Sequence, residues 1–406
     1  MHKQQDTITT PSSHTLTGKL TMRLHRYSGV LNSLLLGALI SMGSVGVANA
    51  EILAMLNYQA KPDQAEKKEG LAIIDVDPTS TTFQKLVTDI PLPTGLVSHH
   101  IYYNQDKSKA YVTALGKNIL HVLDMTRSPY KMKAVEVPGC AALEDLAFSK
   151  DNKRWYLTCM GTDNVMVGDA TTDMLLKPIA APLSEAAFIR YPHGISVHDG
   201  IDRMLVTSTV RPSDLGDPGE TVTVVEASTG KVLSTHKVSN KPSPSKAAPV
   251  EVKFVPNVTP PTAYITNMFE STLWVAVWNA TTKTFAFKEA DDFTTREHKM
   301  PLAITFDRAT RHLYVSTANP GHVTRYDITD PQNPVFLDAI TTAAGAHHAV
   351  LSPDEKYLFV QNNMLSLPGI SDGSISVVDL AQGKTIASVD TLKSRGLDPN
   401  SIILLP

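Results

Sequence analysis

The stretch Gly345–Asp354, GAHHAVLSPD, decides the fold, because its pattern recurs along the chain. Two adjacent histidines open a short apolar strand, a polar turn follows, and a second apolar strand begins at Tyr357. The same order occurs at Ser98–Asp106, SHHIYYNQD, and at Pro192–Val197, PHGISV. Self-similarity at a regular period predicts a repeat architecture, so the period has to be established before any single element.

The strands that open each repeat can be aligned on a pair of residues. These pairs recur every 45 to 57 residues, which is the length of a propeller blade of four strands. The aligned pairs are His99-His100, Glu144-Asp145, His193-Gly194, Val250-Glu251, Leu302-Ala303, His347-His348 and Asn400-Ser401. Short runs rich in Val, Ile, Tyr and Thr lie between turn-forming residues, which is typical of an all-β protein. Seven opening strands therefore predict a seven-bladed β-propeller.

The first and last repeats predict how the ring closes. Residues 51–57 resemble a second strand and residues 70–75 a third, so the first blade lacks an opening strand. Residues 399–404 match an opening strand. We therefore expect the C-terminal strand to complete blade one, because this pairing removes the exposed sheet edges of an open array. A linear solenoid is less favoured, since it would need capped ends.

Residues 1–50 are predicted to be a polar extension and a secretory signal peptide, and residues 51–406 a single propeller domain. Two arginines precede an apolar run from Val30 to Val47, which ends in Ala48-Asn49-Ala50. A basic region, an apolar region and a small-residue cleavage site are the three parts of such a signal. The alternative is a membrane anchor, which the polar residues of the run and the cleavage site disfavour. We expect a periplasmic or secreted protein.

Composition and absent motifs exclude several classes of function. The net charge is −3 and there is no basic patch, which argues against nucleic acid as a partner. After the signal region no apolar run is long enough to span a bilayer. Motifs of serine hydrolases, NTPases, c-type cytochromes and zincins are missing from the sequence. We expect a monomer whose partner is a small molecule or a cell-envelope protein.

The aligned pairs are expected to lie around one mouth of the central channel, because the first strand of each propeller blade lines that channel. The candidate metal ligands are His99, His100, His193, His347 and His348, and the candidate catalytic carboxylates are Glu144, Asp145 and Glu251. Imidazole suits copper, iron or zinc, and the carboxylates extend the range to manganese. The alternative is a hydrated polar channel without metal. Neighbouring residues of a regular strand point opposite ways, so we expect one inward ligand from each histidine pair.

Further residues are expected around the same channel mouth, on loops that return to it after each second strand. They are Cys159, Met160, Arg211, Asn267, Asn319, His322 and Asn363. Thiol and thioether groups would suit copper, although methionines also fill gaps in apolar surfaces. The guanidinium of Arg211 is a candidate anion clamp over the opening, with a merely solvated side chain as the alternative.

The two cysteines leave two alternatives open. A hairpin turn at residues 150–153 would bring Cys140 close to Cys159, and an oxidising compartment would favour a disulfide between them. A free Cys159 would instead be a candidate metal ligand.

Several repeats resemble known families. Residues 51–406 resemble the YVTN-type seven-bladed propellers. The segments that carry this resemblance are KAYVTALGKNILHVLDM (109–125), HLYVSTANPGHVTRYDI (312–328) and YLFVQNNMLSLPGISDGSISVVDL (357–380). That resemblance implies a fold, which carries enzymes, cofactor binders and binding proteins alike. The segments YDITDPQNPVFLD (326–338) and GAHHAVLSPDEKYLFV (345–360) resemble the late blades of the selenium-binding protein and methanethiol oxidase family. This second resemblance implies a copper-dependent oxidase of small thiols.

The sequence thus predicts an exported propeller with a histidine-rich metal site at the channel mouth. Copper is the expected metal, with iron, zinc and manganese as alternatives, and oxidation of a small sulfur-containing molecule is the expected chemistry. Two other functions stay open. One is a non-catalytic propeller that binds a protein or envelope component, and the other is a haem d1-type cofactor binder in which a channel histidine ligates the iron.

Overall fold

The chain alternates short apolar strands with polar turns, and in the computed structural model these strands form seven four-stranded antiparallel sheets in a ring. The structure describes residues 51–180 and 189–406. The predicted all-β, seven-bladed β-propeller is confirmed. The predicted signal peptide, residues 1–50, lies outside the described residues.

The first four blades share one plan, in which the strands follow chain order from the channel outward, except that the innermost strand of blade one is the last strand of the chain. Blade one contains β1 (Leu53–Ala60), β2 (Glu69–Asp75) and β3 (Leu86–Leu92). Blade two contains β4 (Ser98–Tyr103), β5 (Lys109–Ala114), β6 (Ile119–Asp124) and β7 (Lys131–Glu136). Blade three contains β8 (Leu143–Phe148), β9 (Arg154–Cys159), β10 (Asn164–Asp169) and β11 (Ile179–Ala180). Blade four contains β12 (Pro192–His198), β13 (Arg203–Ser208), β14 (Thr221–Glu226) and β15 (Lys231–Lys237).

The last three blades repeat this plan. Blade five contains β16 (Pro249–Phe254), β17 (Thr262–Asn267), β18 (Thr272–Asn279) and β19 (Thr284–Asp292). Blade six contains β20 (Lys299–Phe306), β21 (His312–Asn319), β22 (His322–Asp327) and β23 (Val335–Thr341). Blade seven contains β24 (Ala346–Leu351), β25 (Tyr357–Asn362), β26 (Ile375–Asp379) and β27 (Lys384–Val389), and β28 (Leu397–Leu404) follows it.

Helix is rare in the described part of the chain. Three 3-10 turns occur there, at Asp199–Ile201, Phe293–Arg296 and Lys393–Arg395. None of the helices in the two described ranges is long and apolar enough to cross a membrane.

The last strand closes the ring as the sequence predicts. Strand β28 pairs antiparallel with β1, from Ala54 opposite Leu404 to Ala60 opposite Leu397. It therefore supplies the innermost strand of blade one, next to the channel. It also contacts the innermost strands of blades two and seven, so the first and last blades are joined without a free inner edge.

The core lies between the blades and not within them, because each sheet can bury its apolar faces only against its two neighbours. One buried apolar cluster occupies each of the seven blade interfaces. Between blades two and three it includes Tyr111, Trp155 and Leu157, and between blades four and five it includes Trp274 and Phe285. The channel-facing ends of the inner strands are thereby left free for polar residues.

Cys140 and Cys159 form a disulfide, with their Cα atoms 5.0 Å apart. Cys159 ends β9 and lies opposite Leu143, so the hairpin of blade three brings the two sulfur atoms together. The alternative of a free Cys159 that binds metal or lines the channel mouth is therefore wrong, because its sulfur is bonded and its side chain is fully buried.

Deleting residues 400–406 is expected to destabilise the propeller severely. The deletion removes Ile402, Ile403 and Leu404, and burying each side chain contributes about 1.5–3 kcal/mol. Their sum is comparable to a typical unfolding free energy of about 5–15 kcal/mol. Thermal melting of the truncated chain would measure the loss, with deletion of the exposed Pro406 alone as the control. Equal melting temperatures for the truncated and full chains would contradict closure by β28.

Thiol titration of the denatured, unreduced protein is expected to find no free thiol. Replacing both cysteines by alanine should lower the unfolding free energy by about 3 kcal/mol, because the bond closes a short loop of 19 residues in the unfolded chain. Urea unfolding of the variant measures this change. Two titratable thiols in the unreduced protein would show that the bond does not form.

Candidate metal centre

The inner strands are all interrupted at the same height. In six blades the pairing between the first and second strands skips two residues, which form a bulge. The skipped pairs are His99-His100, Glu144-Asp145, His193-Gly194, Val250-Glu251, Leu302-Ala303 and His347-His348. In blade one the register between β1 and β28 shifts at the equivalent residue, Asn400. The pairs aligned from the sequence therefore occupy equivalent positions around the channel.

A polar side chain on the second strand holds each of these six bulges. The backbone N–H of the second residue in the pair donates to that side chain, over 2.8 to 3.2 Å. The acceptors are Thr113, Thr158, Thr207, Thr266, Ser316 and Gln361. The sequence pattern did not single out these residues. Their signal is a polar fifth residue in each second strand, as in KAYVTA, RWYLTC and TAYITN.

Several of these side chains also bond to the next blade. The hydroxyl of Thr158 donates to the carbonyl oxygen of His193 over 2.7 Å, and that of Thr207 donates to Val250 over 2.8 Å. Thr266 donates to Leu302 over 2.7 Å in the same way. The bulge of one blade is thus fixed relative to the bulge of the next, which sets the positions of the channel-lining side chains.

Both rings of each histidine pair lie in the channel layer. The ring centroids of His99 and His100 are 4.0 Å apart, and those of His347 and His348 are 4.2 Å apart. The prediction of one inward ligand from each pair is wrong. It assumed the alternation of a regular strand, whereas a bulge turns two successive side chains towards the same side.

Three residues from three blades form what we call the carboxylate triad: His99, Glu144 and His193. One ligand atom from each lies within 4.8 Å of the other two. The Oε1 atom of Glu144 is 3.2 Å from Nε2 of His99 and 2.8 Å from Nε2 of His193. The second carboxylate oxygen and the Nδ1 atoms of both rings are buried without a hydrogen-bond partner. The triad therefore contains potential metal-ligand atoms that have no hydrogen-bond partner within the protein.

Three further residues form the imidazole triad: His100, His347 and His348. Their ligand atoms also lie within 4.8 Å of one another. The hydroxyl of Tyr102 lies 2.8 Å from Nδ1 of His100, which leaves the Nε2 atom of that ring free. The Nε2 atoms of His100 and His348 are buried without a partner. The two triads are neighbours, since His99 and His100 are stacked against each other.

Burial sets the charge of the two triads. It lowers the pKa of His100 and His348 well below the usual range and that of His347 to about 3, so these rings are neutral near pH 7 with lone pairs available. Burial alone would raise the pKa of Glu144, but His99 and His193 hold it well below its usual range. In turn Glu144 outweighs burial and raises the pKa of His193. The carboxylate triad is therefore the charged half of the centre.

Blade four contributes one histidine because its bulge has no room for a second side chain. A Cβ atom on Gly194 would lie 2.3 Å from the carbonyl oxygen of Val250 and 2.8 Å from the backbone nitrogen of Val252. Both atoms belong to the neighbouring inner strand, so neither can move freely. His193 is accordingly the single imidazole of its pair.

An apolar cavity of about 160 Å³ lies over the carboxylate triad, and His99, Glu144, His193 and His347 reach its wall. Four methionines from four blades also line it: Met160, Met268, Met300 and Met364. Four of its nineteen lining residues are thus methionines, against thirteen in the whole chain of 406, so the cavity is enriched in thioethers. Met160 is the member of the predicted mouth set that lies here.

The other residues predicted at the mouth do not line this cavity. Arg211 is exposed and pairs with Asp214, and Asn319 is exposed at the end of β21. His322 stacks on His298 with ring centroids 4.0 Å apart. The amides of Asn267 and Asn363 are buried and donate to the backbone oxygens of Val238 and Pro399. The cavity is nevertheless lined by Val210 and Pro212, which flank Arg211, and by Met268 and Met364, which follow Asn267 and Asn363. The placement of these residues around the channel mouth therefore stays a prediction.

A second cavity, of about 250 Å³, lies on the opposite side of the histidine layer. Tyr102, Asp145, Glu251, Lys253 and His348 line it together with parts of the inner strands. The carboxylate of Asp145 accepts backbone N–H bonds from Leu146 over 2.7 Å and from Ile195 over 3.0 Å. Two of the three candidate catalytic carboxylates therefore face this polar cavity, and Glu144 alone faces the apolar one.

Burial and mutual repulsion act on those two carboxylates. Burial raises the pKa of Asp145. Burial and the nearby carboxylate of Asp145 raise the pKa of Glu251 to about 7. The polar cavity can therefore hold a proton near neutral pH.

No family model and no curated protein matches this chain. Solved propellers are similar in structure. The hypothetical selenium-binding protein of Sulfolobus tokodaii has a TM-score of 0.70 and 14% identity, over 88% of this chain and 92% of that one. A candidate 6-phosphogluconolactonase of Bacteroides uniformis has a TM-score of 0.58 and 12% identity, over 87% and 99%. The hydrazine synthase of Kuenenia stuttgartiensis has a TM-score of 0.52 and 14% identity, over 71% and 78%.

At these identities the likeness shows the fold alone. The three proteins carry different names, as expected for an architecture that hosts many functions. The YVTN-type resemblance therefore stays a prediction, and any argument about function has to come from the two triads and the cavities beside them.

The metal-free protein is expected to lose stability as the pH falls below about 6.5. Three buried histidines with lowered pKa stay neutral in the folded protein but bind protons in the unfolded chain, so acid favours unfolding. Each can contribute up to about 1.4 kcal/mol for the first pH unit below 6.5. His193 and Glu251, whose pKa values are raised, act in the opposite sense, against the three lowered imidazoles.

Urea unfolding of metal-free protein at about pH 7.5 and about pH 5.5 measures this effect, above the range in which ordinary carboxylates titrate. The variant His348→Gln should show a smaller drop than the wild type. The variant His322→Gln, whose ring lies outside both triads, should show the full drop. A wild-type unfolding free energy that does not change between the two pH values would contradict the burial of neutral imidazoles.

Proposed function

We propose that this chain is an exported seven-bladed propeller that binds copper at the channel layer and oxidises a small sulfur-containing molecule. The proposal of export is based on the basic, apolar and small-residue segments within residues 1–50. The metal proposal is based on the two triads. The chemistry is based on the cavity that adjoins them.

The observation that supports a metal site most directly is a set of buried nitrogen and oxygen atoms that have no hydrogen-bond partner in the protein. Unpaired buried polar atoms are rare, and a bound ion is one of their recognised explanations. Here five of them belong to side chains of one layer: Nδ1 of His99 and His193, Oε2 of Glu144, and Nε2 of His100 and His348. Imidazole nitrogens with one carboxylate are a donor set that transition metals bind. The residues present therefore fit a metal.

Copper is favoured over the other candidate metals by the surroundings of the triads. Neutral imidazoles suit copper, iron and zinc alike, but thioethers are soft donors that favour copper, above all Cu(I). The methionines of the apolar cavity place thioethers beside the carboxylate triad. The same cavity contains no charged side chain apart from the triad.

The apolar cavity also restricts the substrate. Its volume of about 160 Å³ lies below the range of about 300–1,000 Å³ that is usual for drug-sized ligands. Its lining of methionine, leucine and valine favours an uncharged, apolar molecule. The resemblance of residues 326–338 and 345–360 to the selenium-binding protein and methanethiol oxidase family supports a small thiol.

The residues of the channel layer would have different roles in the reaction. Copper held by the two triads would supply one-electron redox chemistry for oxidation of the thiol, with dioxygen as the oxidant. Glu144, ionised between two imidazoles, would compensate the charge of the ion. The apolar wall would exclude bulk water, and Tyr102 would hold His100 in one orientation through its Nδ1 atom.

The proposal predicts stoichiometric copper in protein loaded with Cu(II), and oxygen uptake with a short alkyl thiol. The double variant His99→Gln/His100→Gln removes one ligand from each triad and should lose both properties. The matched control is His121→Gln, because His121 is equally buried but lies in β6, away from the layer. Metal analysis and an oxygen electrode provide the measurements, and thermal melting checks that each variant is folded.

Wild-type protein that retains no copper, iron, zinc or manganese after loading would contradict the metal proposal. The remaining interpretation would be a binding protein with a hydrated polar channel. Copper that binds without any thiol-dependent oxygen uptake would contradict the oxidase and leave a copper-binding propeller.

A further inference from the structure

We infer that the centre holds two metal ions, one in the carboxylate triad and a second in the imidazole triad. This inference rests on the proposed function for the identity of the metal, but not for the number of ions. It assigns to His100, His347 and His348 a site of their own.

The six candidate ligands separate into two sets of three that share no residue. Within residues 51–180 and 189–406 these are the two groups of histidine, cysteine or carboxylate residues whose ligand atoms approach one another within 4.8 Å. Nitrogen ligands bind a transition metal at about 2.0–2.1 Å, so three donors spaced in this way can close on one ion with small side-chain movements.

Hydrogen bonds hold the residues of the imidazole triad in the way expected of a metal site. Metal-binding histidines almost always engage their second ring nitrogen with another protein group, which fixes the ring and the ligating atom. The Tyr102 hydroxyl does this for Nδ1 of His100 and leaves Nε2 as the free donor. The backbone N–H of His348 bonds to Oε1 of Gln361 over 3.2 Å, which fixes the bulge that presents its ring. Nε2 of His348 is likewise buried and unpaired.

The two sites differ in charge. The carboxylate triad contains one carboxylate, Glu144, whereas the imidazole triad consists of three imidazoles. An anionic ligand stabilises the higher charge state of an ion more than neutral ligands do. We therefore expect the imidazole triad to favour Cu(I) and the carboxylate triad to favour Cu(II).

The two sites also differ in their access. His99, Glu144 and His193 reach the apolar cavity, whereas His348 lines the polar cavity on the other side of the layer. His347 reaches the apolar cavity as well, so the imidazole triad extends between the two. The second ion would thus lie between the substrate side and the polar side of the channel.

The number of copper ions per chain tests the inference. Metal-free protein is loaded with Cu(II), passed through a desalting column and analysed for copper. The wild type should hold two ions per chain, and His193→Gln and His348→Gln should each hold one. The control His121→Gln should keep both. Copper contents of one in the wild type and zero in both variants would show a single site and overturn the inference.

Electron paramagnetic resonance gives a second measurement that needs no variant. A Cu(I) ion in the imidazole triad gives no signal, and two neighbouring Cu(II) ions interact magnetically, so in either case the spin count of wild-type protein should fall below its copper content. In His348→Gln, which keeps only the carboxylate triad intact, the two quantities should agree. A wild-type spin count equal to a copper content of one would contradict the second site while leaving the proposed function standing. Wild-type protein without copper would contradict both.

Discussion

The structure depends on one backbone device, the bulge that interrupts each inner strand at the same height. A regular strand would present one residue of each aligned pair to the channel, whereas the bulge presents both. Hydroxyl and amide groups of the second strands hold the bulges, through Thr113, Thr158, Thr207, Thr266, Ser316 and Gln361. Because three of these hydroxyls also bond to the following blade, the histidines are positioned relative to one another and not only within their own strands.

The polar layer by itself lowers the stability of the folded protein, and apolar packing elsewhere offsets this loss. Burying imidazole and carboxylate groups without hydrogen-bond partners reduces stability, and the layer contains several such atoms. The apolar clusters between the blades and the pairing of β28 with β1 supply the compensating stability at a distance. Groups that conflict with local stability in an otherwise consistent fold are typical of functional sites.

The sequence predicted the repeat, the number of blades and the ring closure because each depends on a periodic pattern of apolar strands. It also predicted which residues meet at the channel, since equivalent positions of a ring come together. It did not predict the direction of His100 and His348, because a bulge leaves no mark in the hydrophobic alternation. It did not predict the ion pair of Arg211 with Asp214 or the stacking of His322 on His298, because a loop's return to one side of a propeller does not determine which partner a long side chain finds. The threonines of the second strands were visible in the sequence, but they resembled ordinary β-branched strand residues.

The most direct test of this account is anomalous diffraction at the copper edge from crystals of copper-loaded protein. The account predicts anomalous peaks among His99, Glu144 and His193 and among His100, His347 and His348, with the inner-strand bulges in place. Peaks at other residues, or copper-loaded crystals with an empty channel layer, would contradict it.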